Sequence, residues 1–210
     1  QMSARTPAAT AMSAITLDHL SEGRMILGLG ASGPQVVEGW YGQPYPKPLA
    51  RTREYVDVVR RIVRRDEPVD FHGEFYDLPL RDGGLGLGKA LKSTIHPFRK
   101  EIPIYLAAEG PKNVALAAEI CDGWLPLFYS PKDDAHYRRC LDEGFAKSGD
   151  ATKRERFEVV SSLFVVPGDD AEKCADFIRP FVALYAGGMG AKGQNYHTKL
   201  LARKIGRAHV

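Results

Sequence analysis

Twice in this chain a short apolar run ends in a turn of small residues and passes straight into a helix-forming segment. The first run is Met25-Ile26-Leu27-Gly28-Leu29, followed by Gly30-Ala31-Ser32-Gly33-Pro34. The second is Ile104-Tyr105-Leu106-Ala107-Ala108, followed by Glu109-Gly110-Pro111-Lys112-Asn113. Gly, Ala and Ser at such a junction expose backbone N–H groups at the positive end of a helix, which is a ready anion site. Two junctions of this kind in one β/α chain point to a phosphate-bearing cofactor lying across strand ends.

The remaining pattern alternates in the same sense. Thr6-Pro7 supplies an N-cap and a proline at the first helical position. The helix it opens runs to about His19, with Ala8, Met12 and Ile15 on one face. Gln1 to Arg5 read as the end of a strand. Met25 to Leu29 are continuously apolar, as expected of a strand buried on both faces. Arg51 to Arg65 form an amphipathic helix with Tyr55, Val58, Val59 and Ile62 at helical spacing. Val69 to Leu78 alternate around Gly73 and predict a β-hairpin outside the main repeat. Arg81 to Lys92 are a glycine-rich loop. Strands are expected at Ile104–Ala108, Gly123–Phe128 and Phe157–Val166. Helices are expected at Lys112–Ile120, at Pro131–Lys147, from an Asp169 or Asp170 cap to Tyr185, and at Asn195–Arg203. The loop Gly187-Gly188-Met189-Gly190 separates the last two.

Alternating strands and helices predict a parallel sheet with right-handed crossovers. Two α/β architectures compete. In a (β/α)8 TIM barrel, glycine-rich turns recur at successive strand ends, as they do here; a complete barrel takes roughly 250 residues, so this chain would be a partial barrel. An open doubly wound sheet would show one glycine fingerprint near its first strand. The expected organisation is a partial barrel over residues 1–203, with an inserted hairpin and loop at about 68–100. Residues 204–210 break the preceding helical pattern and are set aside as a non-native tail.

Composition excludes several classes. A net charge of +3 from 29 Lys and Arg against 26 Asp and Glu is too small and too evenly spread for nucleic-acid binding. The densest basic run, Arg60 to Arg65, falls on a helix and reads as a solvated face. No apolar run reaches the roughly 20 residues of a membrane span, and no segment reads as a signal peptide. Cys121, Cys140 and Cys174 have no metal-ligand spacing and read as free thilols of a reducing cytoplasm. The histidines are scattered, so no metal is expected. Amphipathic outer helices allow a homodimer.

In a barrel the C-terminal strand ends carry the chemistry. The candidate residues are Gly30, Ala31, Ser32 and Gly33 after the first strand, and Ala108, Glu109, Gly110 and Asn113 after the next. Leu127-Phe128-Tyr129 follow a third strand, and Glu38, Trp40 and Tyr41 are candidate pocket residues. Competing readings stay open: Gly28 and Gly30 for tight strand–helix packing, Glu109-Gly110-Pro111 for an ordinary turn, and Glu38 to Tyr41 for a surface helix with an aromatic anchor. No nucleophile–base constellation and no phosphate-binding glycine–lysine loop is present.

Several runs resemble the luciferase-like monooxygenase superfamily: Arg5-Thr6-Pro7-Ala8, Thr16-Leu17-Asp18-His19-Leu20-Ser21-Glu22-Gly23-Arg24, and Leu27 to Gly42. Pro48 to Tyr55 and Tyr185 to Ala191 resemble its coenzyme F420-dependent branch. The resemblance covers Gln1 to about Arg203. It implies a (β/α)8 barrel with the cofactor across the strand ends. Ala108, Glu109 and Gly110 would bind the phosphate through their backbone and Asn113 through its side chain. Gly30 to Gly33 would lie beside the deazaflavin ring, with the Tyr185–Gly190 loop near the mouth. It further implies that strands outside these residues carry the proton donor, so the catalytic residue is unknown from this chain. The implied function is hydride transfer between coenzyme F420 and a small organic substrate. The alternatives are an FMN-dependent monooxygenase using dioxygen and a non-catalytic flavin-binding barrel.

Overall fold

The structure, a computed structural model, describes residues 1–188 together with Thr198, Leu201 and Ala202. The expected Asn195–Arg203 helix, apart from Thr198, Leu201 and Ala202, which are helical, lies outside the described residues, as do the Met189-Gly190 end of the glycine loop and the 204–210 tail. Helix α1 spans Pro7–Leu20, and the Thr6 hydroxyl accepts the Ala9 N–H at 3.2 Å as its cap. Strand β1 is Leu27–Gly30. A four-residue helix, α2 (Pro34–Val37), follows, and then the long amphipathic helix α3 (Pro48–Arg64). Strands β2 (Phe71–His72) and β3 (Asp77–Leu78) pair antiparallel as a small separate sheet. Strand β4 (Ile104–Ala107) leads into α4 (Pro111–Ile120), and β5 (Gly123–Leu125) into α5 (Asp134–Ser148). Short α6 (Lys153–Arg156) precedes β6 (Glu158–Val159), and α7 (Ala171–Asp176) and α8 (Arg179–Ala183) follow.

The main sheet has the order β1-β4-β5-β6, and every neighbouring pair is parallel. Strands are therefore added in chain order with no reversal. A doubly wound sheet reverses direction at a switch point; this one winds one way, as a barrel does. Leu27, Leu29, Ile104, Leu106 and Trp124 form one core with Ile15, Tyr55, Val58, Val59 and Val114 from α1, α3 and α4. Because side chains alternate across a strand, the intervening residues Gly28, Gly30, Tyr105, Ala107, Gly123 and Leu125 face the opposite side, which is the inner face of a barrel.

Several expectations are corrected. Met2–Ala4 form a single 3-10 turn rather than a strand end. β1 is not buried on both faces: Leu27 and Leu29 are buried, whereas Gly28 is exposed. The buried face of α1 is Pro7, Thr10, Ala11, Ala14, Ile15 and Asp18, with Ala8 and Met12 at its margin. The expected strand Phe157–Val166 shrinks to Glu158–Val159. Its only partner among the described residues is β5, which stops at Leu125, before Pro126, which has no N–H to continue the ladder. The helix capped by the Asp170 carboxylate, which accepts the N–H groups of Glu172 and Lys173, breaks after Asp176 and does not run on to Tyr185.

The run Arg60 to Arg65 is a solvated face only in part: Arg61 and Arg64 are exposed, whereas Arg60 and Arg65 are half-buried. Arg60 donates to the Ile120 carbonyl at 3.1 Å and to Asp122 at 2.9 Å; Arg64 pairs with Glu101 at 2.5 Å; Arg65 donates to the Ser93 carbonyl at 2.8 Å. These residues bind the C-terminal end of α3 to the segments that enter β4 and β5. The hairpin is fixed to the other end of α3. There the Glu54 carboxylate accepts the backbone N–H groups of Glu74 and Phe75 at 2.8 Å and of Tyr76 at 3.1 Å.

Candidate functional site at the carboxyl ends of the strands

Parallel pairing sets Gly30 of β1 directly beside Ala107 of β4. The two small-residue turns, Ala31-Ser32-Gly33 and Ala108-Glu109-Gly110, therefore leave the sheet side by side at its C-terminal edge. All eight sequence-predicted binding residues belong to these two adjacent junctions.

The junctions are built differently. At the first, Gly33 caps α2, which is only four residues long. A macrodipole needs a longer run of aligned peptides, so the expected helix-end anion site is not realised there. Ser32 instead adopts the left-handed conformation, φ +61°, that glycine tolerates best. The Tyr45 hydroxyl donates to the Ser32 carbonyl at 2.7 Å and holds the turn; burial pushes the Tyr45 phenol up. At the second junction, Gly110 caps the ten-residue α4 with no side-chain cap, and Pro111 occupies its first turn. Asn113 lies in that turn. Its backbone N–H bonds the Gly110 carbonyl at 2.9 Å. Its side-chain Oδ1 is buried and accepts no hydrogen bond among the described residues. A buried acceptor left this way costs about 1–3 kcal/mol unless a ligand or water satisfies it.

Two of the predicted residues have other duties. Ala108 is buried, and its carbonyl accepts the Trp124 indole N–H at 2.7 Å. Glu109 accepts the Leu127 N–H through Oε1, which ties the turn after β4 to the turn after β5. Its carboxylate thus serves as a strut between the two turns.

The inner row separates two kinds of glycine. A Cβ at Gly123 would lie 2.7 Å from the Tyr105 ring, so the protein itself demands glycine there. A Cβ at Gly28 would meet Leu125 at 3.6 Å, and one at Gly30 would meet Ala107 at 3.5 Å, both ordinary contacts. Neither faces a helix, so the strand–helix packing reading of Gly28 and Gly30 fails. The described residues around Gly28 and Gly30 therefore do not demand glycine at either position. Glu38 and Trp40 do not join this row: both are exposed, Trp40 by 82%.

A cavity of about 560 Å³ opens at the other end of the sheet. Arg60, Arg64, Lys153 and Arg156 line it and are already held by Asp122, Glu101, the Glu119 carbonyl and Asp150. Sequence reasoning missed this network because its partners lie 34 to 62 positions apart in most pairs. It also missed the role of Asp18 in the Leu-Asp-His-Leu run. Asp18 is fully buried and bound by Arg99 at 2.6 Å, and Arg99 also donates to the Met25 carbonyl at 2.7 Å. Among the described residues no group of three or more His, Cys, Asp or Glu could hold a metal ion, and no helix is long and apolar enough to cross a membrane.

Comparison with known proteins adds a family and a scale. The family model for luciferase-like monooxygenases matches residues 1–209. A Mycobacterium tuberculosis protein provisionally named a coenzyme F420-dependent oxidoreductase is 61% identical over 211 residues, covering 100% of this chain and 60% of its own length. The 5,10-methylenetetrahydromethanopterin reductase of Archaeoglobus fulgidus is 34% identical over 183 residues, covering 87% of this chain and 50% of its own. Among solved structures, an F420-dependent secondary alcohol dehydrogenase superposes with a TM-score of 0.73 at 21% identity, over 95% of this chain and 58% of that one. The chain thus spans one half to three fifths of these proteins, and the shared fold is a partial TIM barrel.

Proposed function

We propose that this chain, which belongs to the luciferase-like monooxygenase family, carries the strand-end part of a coenzyme F420 site in an oxidoreductase that moves a hydride to or from a small organic substrate. The observation that carries the reading is the uncapped N-terminus of α4, with the buried, unpartnered Asn113 Oδ1 in its first turn, beside the small-residue turn that follows Gly30. The name of the 61% identical relative supports the choice of cofactor.

The residues present fit such a group. The first turn of α4, from Gly110, would hold the phosphate on a positive helix end, and the buried side chain of Asn113 would take its remaining polar contact. Gly30, Ala31, Ser32 and Gly33 would line the ring, with Tyr45 holding that turn in place. When bound, the deazaflavin supplies a two-electron hydride carrier without the ring nitrogen that lets flavins react readily with oxygen. The protein's part is position and electrostatics. The three free thiols go with a cytoplasmic location.

The test is a fluorescence titration of protein expressed from its complete gene, with coenzyme F420 and with FMN. Saturable binding of the deazaflavin with weaker or absent FMN binding is the expected result. Preference for FMN, with oxygen consumed during turnover, would make the protein a flavin monooxygenase of the same fold.

A further inference from the structure

We propose that Arg51 is a positioning residue for the candidate cofactor turn, acting through Tyr45, and that the β2–β3 hairpin is its anchor; this rests on the F420 reading above. The segment between α2 and α3 has prolines at 44, 46 and 48. Proline has no N–H to donate, so this segment is short of backbone hydrogen bonds and depends on side chains to fix it. Arg51 supplies one such grip. Its Nη1 donates to the Pro44 carbonyl and its Nε to the Tyr76 hydroxyl, each at 3.1 Å. Tyr45, the next residue after Pro44, donates its hydroxyl to the Ser32 carbonyl at 2.7 Å. A line of contact therefore runs from the hairpin to Arg51, through the backbone at Pro44 and Tyr45, to the turn after β1.

One end of this line is firm and the other is strained. At the hairpin end, the Tyr76 ring packs on the core and meets the buried Tyr55 ring edge to face, with centroids 5.7 Å apart. Glu54 holds the hairpin backbone through the N–H groups of Glu74, Phe75 and Tyr76. The Arg51 guanidinium also lies over the Tyr76 ring, 5.8 Å from its centre. At the cofactor end, Ser32 sits at φ +61°, a conformation that a residue with a Cβ disfavours. The hydrogen bond from Tyr45 opposes its relaxation. Ala31, in the same turn, shares a narrow gap with Tyr45 and Arg51, which sets this brace directly behind the turn. The Lys47–Glu74 pair at 2.6 Å also joins the segment to the hairpin, but both side chains are more than half exposed and such a pair holds little.

The experiment is a double-variant cycle on protein from the complete gene, read by F420 fluorescence titration and by hydrogen exchange. Tyr45→Phe is expected to weaken F420 about three- to tenfold, the net contribution of one hydrogen bond. Arg51→Lys should weaken it by a similar or smaller factor, because an ammonium lacks the fixed fork that reaches two acceptors. Combined, the two should be no worse than Tyr45→Phe alone, since Arg51 acts through Tyr45. In a Ser32→Gly background, where glycine takes positive φ freely, adding Tyr45→Phe should change affinity by less than about twofold. The Val36 and Val37 amides donate to the Gly33 carbonyl at 3.1 and 3.0 Å. They should exchange faster in Tyr45→Phe, and should not respond to it when residue 32 is glycine. A merely structural role would lower the unfolding midpoint without this dependence on residue 32. Additive losses for Tyr45→Phe and Arg51→Lys overturn the proposal, as does a Tyr45→Phe effect of equal size in both backgrounds. If the unmodified protein binds no F420, the cofactor reading falls and exchange at Val36 and Val37 decides the brace by itself: faster exchange in Tyr45→Phe upholds it, and unchanged exchange removes it.

Discussion

The two ends of the parallel sheet are built on opposite rules. At the amino end, charges meet in closed pairs: Asp18 with Arg99, Arg60 with Asp122, Arg64 with Glu101 and Lys153 with the Glu119 carbonyl. At the carboxyl end the residues are small, α4 has no side-chain cap, and Asn113 holds a buried oxygen without a partner among the described residues. The first end has spent its polar groups on itself; the second holds groups in reserve. That contrast, more than cavity volume, marks where a ligand belongs, since a cavity of about 560 Å³ lies at the self-satisfied end. It also agrees with the general division of barrels into a stability face and an active face.

The contrast breaks most sharply at Asp18. Asp18→Ala leaves the Arg99 guanidinium without its buried carboxylate, and breaking such a pair costs about 3–5 kcal/mol. Urea unfolding should show that loss, while F420 affinity measured well below the transition stays within twofold. The double variant Asp18→Ala/Arg99→Ala should recover part of the stability, because no orphan charge is left. A loss of cofactor binding without a loss of stability would place Asp18 in the site and dissolve the two-end picture.

The glycines of the inner row sharpen it. Gly123→Ala drives a Cβ to 2.7 Å from the Tyr105 ring and should cost about 1–3 kcal/mol by overpacking. Gly30→Ala meets Ala107 at an ordinary 3.5 Å and should leave the unfolding midpoint almost unchanged, yet weaken F420. Equal destabilisation by both would mean that glycine at 30 serves the fold alone.

Gly110→Asp tests the helix end by itself. Gly110 has φ −76° and ψ 146°, an extended conformation open to any residue, and aspartate is a good N-cap. Stability should therefore hold or rise slightly. Cofactor affinity should fall by about 1–3 kcal/mol as the carboxylate meets the phosphate partly out of water. Unchanged affinity would make the turn purely structural.

Much of the frame was legible in the sequence because it depends on local chemistry. The Thr6-Pro7 cap, the hairpin around Gly73 and the two strand–turn–helix junctions all follow from neighbours a few positions apart. The long strand after Phe157 was not legible: its length depends on a partner, and Pro126 on β5 withdraws that partner. Nor were the ion pairs of Arg60 and Asp18, which join residues 62 and 81 positions apart. The two junctions are legible by residue type and spacing, but the contacts their side chains make inside the protein are not. Nothing local to Glu109 signals that its carboxylate accepts the Leu127 N–H.

The smallest expected effect lies at the amino end. Burial pushes the Cys121 thiol from 9.0 up to about 12, so at pH 8 only about one molecule in ten thousand carries a thiolate there. Half-buried Cys174 should react with a disulfide reagent at pH 8 well before Cys121, which reacts only as the protein unfolds. The sign of the pH effect follows from the same shift. The folded state keeps a proton that the unfolded state releases above about pH 9, so stability should fall as pH rises from 9 towards 12. Tyr105, raised from 10.0 to about 12 by burial and by its bond to Glu158, acts in the same direction. Cys121→Ala should remove the thiol's share of that alkaline slope and leave the tyrosine's. Rapid labelling of Cys121 in the folded protein would show that the paired end opens as readily as the end held in reserve.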